Sequence, residues 1–408
     1  MEYPKLRAIE AIPLRRGGRV LVQLHDPMRI SQNVALVPGE MMYLLALFDG
    51  AHSITDIQTA LARRFGEFVP GDQIQRVLAQ LDEALLLDSD RFREHLRAVR
   101  KAFAESPVRL PCGSGTSYPE DRDELRALLD SFFAADGGPG RPRPATADGG
   151  LVGVVAPHID FERGAPSYAH AYKVLAEGTR ADLFVIFGTA HFAHQAPYIL
   201  TRKSFQTPLG TLPTAADLVG ELARRYGREP FAEELVHKTE HSIEFQVLLL
   251  QHVLQGREAE ILPILCGSME GLVGEERSPR EVAAIGDFLE ALRDVVAGSG
   301  RRACAIAGAD LAHVGHQFGD DFPLSAQVMA DVEHADRATL EHVQQLDPDG
   351  FYANVALDDN ARHICGVPPI YALLAVTDAS RCELLDYRQA VDYDLQRAVT
   401  FASLALYA

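Results

Sequence analysis

Three apolar runs in this chain end on histidine. LVGVVA (151–156) leads into Pro157-His158-Ile159-Asp160, LFVIFG (183–188) into Thr189-Ala190-His191, and ACAIAG (303–308) into Ala309-Asp310-Leu311-Ala312-His313. A fourth segment, Thr239-Glu240-His241-Ser242-Ile243-Glu244, opens a helical stretch to Leu254, with His241 and Glu244 spaced to share one face. Two or three imidazoles with a carboxylate and open positions describe a site for iron, zinc or a similar borderline metal. At a helix start His241 would meet the positive end of the dipole, which favours the neutral imidazole that serves as base or ligand. The candidates are therefore His158, His191, His241, His313 and Asp310.

Each candidate has an ordinary alternative. A lone histidine is usually a satisfied surface or core residue, and the chain holds fifteen. His25, His52, His95, His170, His237 and His252 are read that way, and His194 and His316 as groups supporting the candidates three residues before them. Asp310 could instead cap a helix. Cys266 and Cys304 lie inside apolar runs and read as small buried hydrophobes. No GxSxG, P-loop or GxGxxG pattern follows a strand, so nucleophilic serine and nucleotide chemistry have no support.

The elements that must position these groups follow from the same runs. Strands at 151–156, 183–188, 261–267 and 303–308 alternate with helical patterns at 166–177, 241–254 and 281–297. Near-continuous apolar strands alternating with helices predict an α/β domain with a mostly parallel central sheet flanked by helices. In such sheets ligands bind outside the carboxyl ends of the strands, where three candidate histidines stand. Upstream, GTSYPEDRDELRALLDSFF (115–133) reads as a helix with Pro119 in its first turn. GGPGRPRPATADGG (137–150) reads as a loop, either linker or mobile flap. Residues 1–95 read as a separate small α+β unit, winged-helix-like: strands at 19–24 and 33–37, then three amphipathic helices. The charged stretch Arg91–Lys101 reads as a solvated connecting helix.

Composition narrows the class further. Net charge is −18, from 39 basic and 57 acidic residues, which opposes nucleic acid as a general partner. Residues 1–90 hold nine basic and twelve acidic side chains, so the winged-helix-like unit has no basic footprint and peptide or protein binding fits it better than DNA. Five scattered cysteines without a CxxC pair fit a reducing compartment. No apolar run reaches the ~18–20 residues of a membrane span, and the N-terminus lacks an apolar export core. The expectation is a cytoplasmic protein with no membrane association.

In their order, VAPHID, FGTAHF, SFQTPLG, KTEHSIEFQ, LPILCG and GADLAHVG, with the earlier GTSYP and the later ICGVPPI, resemble the Memo family over about residues 107–408. The bacterial branch of that family is termed AmmeMemoRadiSam system protein B. Memo proteins are similar to class III extradiol ring-cleaving dioxygenases, which bind non-haem Fe(II) through two histidines and a carboxylate. The resemblance implies that fold, with His158 and His191 as metal ligands and His241 as the acid/base group. It further implies a cysteine ligand just before the histidine of the Asp-x-x-His loop, where this chain has Ala312. That departure leaves His313, Asp310, His241 or solvent to complete the ligand set. VALVPGEMMYLLALFDGAHSITDIQTALARRFG and the following LLLD resemble the PqqD-like peptide-recognition module that accompanies radical-SAM enzymes, which implies such an enzyme as partner.

Three functions compete on this basis. The first is a metal-dependent oxidoreductase of dioxygenase type, with Fe(II), or with Zn or Cu in its place. The second is a non-catalytic adaptor that keeps the fold, captures a peptide or partner through its N-terminal unit and binds metal or ligand in the histidine cleft without turnover, motivated by Ala312. The third is a zinc-dependent hydrolase built from the same ligand types.

Overall fold

The computed structural model describes residues 2–16, 19–143, 148–192, 195–271 and 278–408. The chain divides into two compact units, Met1–Ser106 and Pro107–Ala408.

The first unit carries a three-stranded antiparallel sheet, β1 (Glu10–Arg16), β2 (Arg19–His25) and β3 (Ala35–Pro38), in that order. Four helices follow: α1 (Met42–Ala46), α2 (Ile54–Phe65), α3 (Gly71–Glu83) and α4 (Asp90–Glu105). A capping box at Ser53 and Asp56 starts α2, and Gly66 in the left-handed region ends it. Val22, Leu24, Ile57, Leu61, Ile74 and Leu78 form its core. The strand over Glu10–Arg16 has no counterpart in the sequence reading, because Pro13 and three charged residues hide its pattern. The connecting helix reaches Glu105 and buries Phe92, so it is not wholly solvated.

The second unit opens with β4 (Val108–Arg109) and α5 (Arg122–Ala134). Asp121 caps α5 by accepting from the amides of Asp123 and Glu124, so Pro119 lies before the helix and not in its first turn. Of the stretch 137–150, residues 144–147 lie outside those described, and the rest forms no regular element. Then come β5 (Leu151–Ala156), α6 (Phe161–Gly178), β6 (Leu183–Thr189), β7 (Tyr198–Leu200), β8 (Ser204–Thr207), β9 (Gly210–Leu212), α7 (Ala216–Tyr226), α8 (Ser242–Leu254), β10 (Glu260–Cys266), α9 (Ala283–Gly298), β11 (Ala303–Gly308) and β12 (His313–Gly315). The unit ends with α10 (Ala326–Gln344), α11 (Pro348–Ala356), α12 (Val367–Val376), β13 (Arg381–Asp392) and β14 (Arg397–Tyr407).

The central sheet has the order β12-β14-β5-β11-β6-β10-β7, with β13 paired to β14. Its middle four strands, β5, β11, β6 and β10, are parallel, as expected of apolar strands covered on both faces. The remaining strands are antiparallel to their neighbours, so the sheet is mixed. β6 and α8 are buried along almost their whole length, the first because it lies mid-sheet, the second because helices and sheet enclose it. Among the described residues, no helix is long and apolar enough to cross a membrane.

Candidate metal centre

β11 lies between β5 and β6, so the carboxyl ends of three adjacent strands deliver His158, Asp310 and His191 to one edge of the sheet. The fourth group arrives on α8, for which His241 is the N-cap residue. α8 can come this close because residue 308 is glycine: a Cβ there would stand 2.7 Å from the Ser242 carbonyl oxygen. The Ser242 hydroxyl donates to the Thr189 carbonyl (2.9 Å) and the Gln246 amide to the Pro157 carbonyl (2.8 Å), tying the helix to two of the strand ends.

The three imidazoles form one cluster. Ring centroids are 5.1 Å apart for His158 and His191, 5.6 Å for His158 and His241, and 5.3 Å for His191 and His241. His158 is buried, whereas the side chains of His191 and His241 are 29% and 39% exposed, so the cluster opens on that side.

Hydrogen bonds fix which ring nitrogens are free. His158 Nδ1 faces the Gly308 carbonyl at 2.9 Å, and His191 Nδ1 faces Glu240 Oε2 at 3.0 Å. Each Nδ1 therefore carries the proton, leaving Nε2 as the donor atom for a metal. Cys365 Sγ lies 3.3 Å from His158 Nε2. Ligand atoms of His158, His191 and Cys365 all fall within 4.8 Å of one another.

Cys365 is the group that the reading of the sequence missed. It sits in the turn ahead of α12, and its approach depends on Gly366, where a Cβ would meet the Asp310 carbonyl oxygen at 2.2 Å. The Gly366 amide donates to that same oxygen (3.1 Å). A cysteine does join the two histidines, but not from the position of Ala312, which is buried in an apolar cluster with Val314 and Met329. His313 belongs to neither group of clustered ligand atoms among the described residues. Its Nδ1 faces the Leu311 carbonyl (3.1 Å) and its ring packs edge-on against Phe318. His313 opens β12 and stands outside both groups of ligand atoms, although its charge still acts on the Cys365 thiol.

A second group, His191, Glu240 and His241, has ligand atoms equally close together. Glu240 is buried, and its two oxygens already accept from the amides of His191 (3.1 Å), His241 (2.8 Å) and Ser242 (3.0 Å). It therefore acts as an orienting carboxylate, standing 3.3 Å from His241 Nδ1 as well. Glu244, the carboxylate that helical spacing pairs with His241, points elsewhere. It forms a buried ion pair with Arg109 and accepts from Tyr118 and from the amides of Cys112 and Gly113. Arg109 in turn donates to the carbonyls of His237 (2.8 Å) and Glu240 (2.6 Å), bracing the turn that carries Glu240.

Asp310 caps no helix. Its Oδ1 accepts from the amides of His158 (2.9 Å) and Ile159 (3.2 Å), and its Oδ2 lies 3.6 Å from His158 Nε2. His194 lies outside the described residues, and His316 is exposed with Nδ1 on the Asp320 carbonyl (2.8 Å).

The electrostatics divide the three histidines. Burial disfavours a charged His158, yet Asp310 and Cys365 beside it outweigh burial and lift it to about 9. Burial would raise the Cys365 thiol, but His158 and His313 bring it down to about 5. His191 is raised by Glu240 against the cost of burial. His241 goes the other way: burial, helped by the charges of His191 and His158, outweighs Glu240 and lowers it to about 4. Charge is thus favoured on His158, His191 and Cys365 and opposed on His241. Cys266 and Cys304 are buried, and burial raises both thiols.

Residues 109–405 match the family model described as Memo-like protein. A MEMO1 family protein of Aquifex aeolicus is 26% identical over 407 residues, covering 99% of this chain and all of the relative. One from Methanopyrus kandleri is 32% identical over 305 residues, 72% of this chain and 98% of the relative. One from Thermus thermophilus is 27% identical over 360 residues, 87% of this chain and 99% of the relative.

Proposed function

The chain belongs to the Memo-like family, and from that premise we propose that it is a transition-metal protein of redox type, with His158, His191 and Cys365 as ligands. The observation that carries this reading is the convergence of His158, His191 and Cys365, whose ligand atoms all lie within 4.8 Å of one another while each Nδ1 is held by a carbonyl or carboxylate. A thiolate in place of the carboxylate of a dioxygenase centre makes the donor set softer, which suits Fe(II), Cu and Zn and disfavours Mg or Ca. Fe(II) is the proposed ion, since it fits both this donor set and dioxygenase-type chemistry.

Such an ion supplies Lewis acidity and one-electron chemistry when bound. The chain's own residues do the rest. Glu240 and the Gly308 carbonyl hold the two ligand rings in the tautomer that presents Nε2. Asp310 fixes the His158 loop through two backbone amides. His241, neutral and open to solvent on one side, takes or gives a proton at Nε2. The adaptor reading drew on Ala312, and Cys365 removes that motive.

Protein purified without oxygen should contain close to one equivalent of iron per chain, and His158→Ala and Cys365→Ser should each lose it. Oxygen uptake with a catechol should vanish in His241→Ala with the metal retained. Wild-type protein free of transition metal would end this reading, whereas zinc with esterase activity would move it to the hydrolase.

The first unit supports a second role, capture of a peptide or of a radical-SAM partner. On one face of its sheet Ile12, Gln23 and Leu36 stand in register, and Ile12, Leu14 and Leu36 are exposed. Leu36→Glu should abolish co-purification with a co-expressed radical-SAM enzyme while leaving metal content unchanged; equal recovery with both forms would count against it.

A further inference from the structure

A cavity of about 980 Å³ reaches the trio, with His191 and Cys365 among its lining residues. That size lies at the upper end of the ~300–1,000 Å³ typical of small-molecule sites. Met269, Tyr352, Val355, Ile364 and Val367, from the ends of β10, α11 and α12 and the segments beside them, give it apolar walls. Away from His191 and His363, its titratable lining is acidic. Glu270, Asp349 and Asp359 line it, and among the described residues no lysine or arginine does.

These carboxylates are not equivalent. Asp349 is bound by Arg280 at 3.0 Å and by the hydroxyls of Ser278 and Tyr371, so its charge is offset. Among the described residues, Glu270 receives a 3.3 Å contact from the Asn360 amide, and neither Glu270 nor Asp359 has an ion pair. An anionic head group lodged beside Glu270 and Asp359 would lose water and, among the described residues, meet no guanidinium or ammonium to replace it. Rejection by like charge is as effective a source of specificity as attraction.

We propose that this cavity is the substrate site of the metal centre and takes a small, mainly apolar molecule with a cationic or uncharged head, excluding carboxylates and phosphates. The proposal rests on the metal-centre reading for the word substrate, and on the cavity alone for the selectivity. His191 and Cys365 mark the reacting end, and Glu270 and Asp359 meet the head group.

Matched probes test it on the full chain: 4-ethylbenzylamine, 4-ethylbenzyl alcohol and 4-ethylbenzoate, with dissociation constants from calorimetry and metal content measured on the same samples. The amine and alcohol should bind, the amine at least about tenfold tighter than the benzoate. Glu270→Gln with Asp359→Asn should remove that preference. Ala353→Trp, which fills the cavity from an exposed position on α11, should weaken all three probes. Benzoate binding as tightly as the amine, no binding of amine or alcohol, or binding indifferent to Ala353→Trp would each overturn the proposal. Selective binding to protein without metal would support the cavity's selectivity and separately end the metal-centre reading.

Discussion

Glu240 does more for the site than any single candidate ligand, because one buried carboxylate serves two histidines and the first turn of α8. Burial opposes its charge, but His191 outweighs burial and holds it well below the usual carboxylate range. Glu240→Gln keeps the shape and removes the charge that sets both rings. Iron affinity, read by competition with a chelator, should fall roughly 10–100-fold. His237 makes a separate pH prediction. It is buried, donates through Nε2 to the Ile199 carbonyl, and burial lowers it from 6.5 to about 3. Its folded value is below its unfolded one, so its contribution is present above about pH 6.5 and lost as pH falls toward 3. His237→Gln should flatten that part of the acid-unfolding profile; an unchanged slope would show that other groups dominate it.

At the scale of elements, the site depends on how closely α8 and the start of α12 approach the sheet. Gly366 has φ −77°, a value any residue adopts, so alanine there tests steric fit alone. Its Cβ would press on the Asp310 carbonyl and on the Ala309 side chain, 2.9 Å away. Gly366→Ala should cost about 1–3 kcal/mol of stability. The displaced Cys365 should reduce metal content below that of equally destabilised variants made elsewhere. The strand-end groups His158, His191 and Asp310 were legible in the sequence because apolar runs ending in polar residues mark a parallel sheet's working edge. Cys365 was not, because it follows an irregular turn where Asp359, Asn360 and His363 all have positive φ, and no period carries through it. Glu240 was hidden by its neighbour, since helical spacing favours Glu244 and only tertiary packing reverses the choice. β13 escaped for a plainer reason: its half-buried pattern shows no clean alternation.

For the whole molecule, every proposed ligand and every residue that orients one lies between Arg109 and Gly366, inside the second unit. The Methanopyrus relative matches 72% of this chain over 98% of its own length. A chain starting at residue 107 should therefore bind iron as the full chain does. One starting at residue 115 lacks Arg109 and the Cys112 and Gly113 amides, leaving the Glu244 carboxylate buried without its cation. It should lose about 3–5 kcal/mol, measured by denaturant unfolding. Equal stability of the two fragments would show that the Arg109 brace is dispensable.

The insertion of β11 between β5 and β6 has a consequence for biosynthesis. His158 and His191 are made early, but the strand that sets them at their final spacing follows more than a hundred residues later, and Cys365 later still. β14, which pairs with β5, is translated after all of them. A growing chain on the ribosome therefore cannot bring the three groups together until Cys365 has been made. On the proposed ligand set, possession of the ion would report that translation has passed Cys365 and that distant contacts have closed.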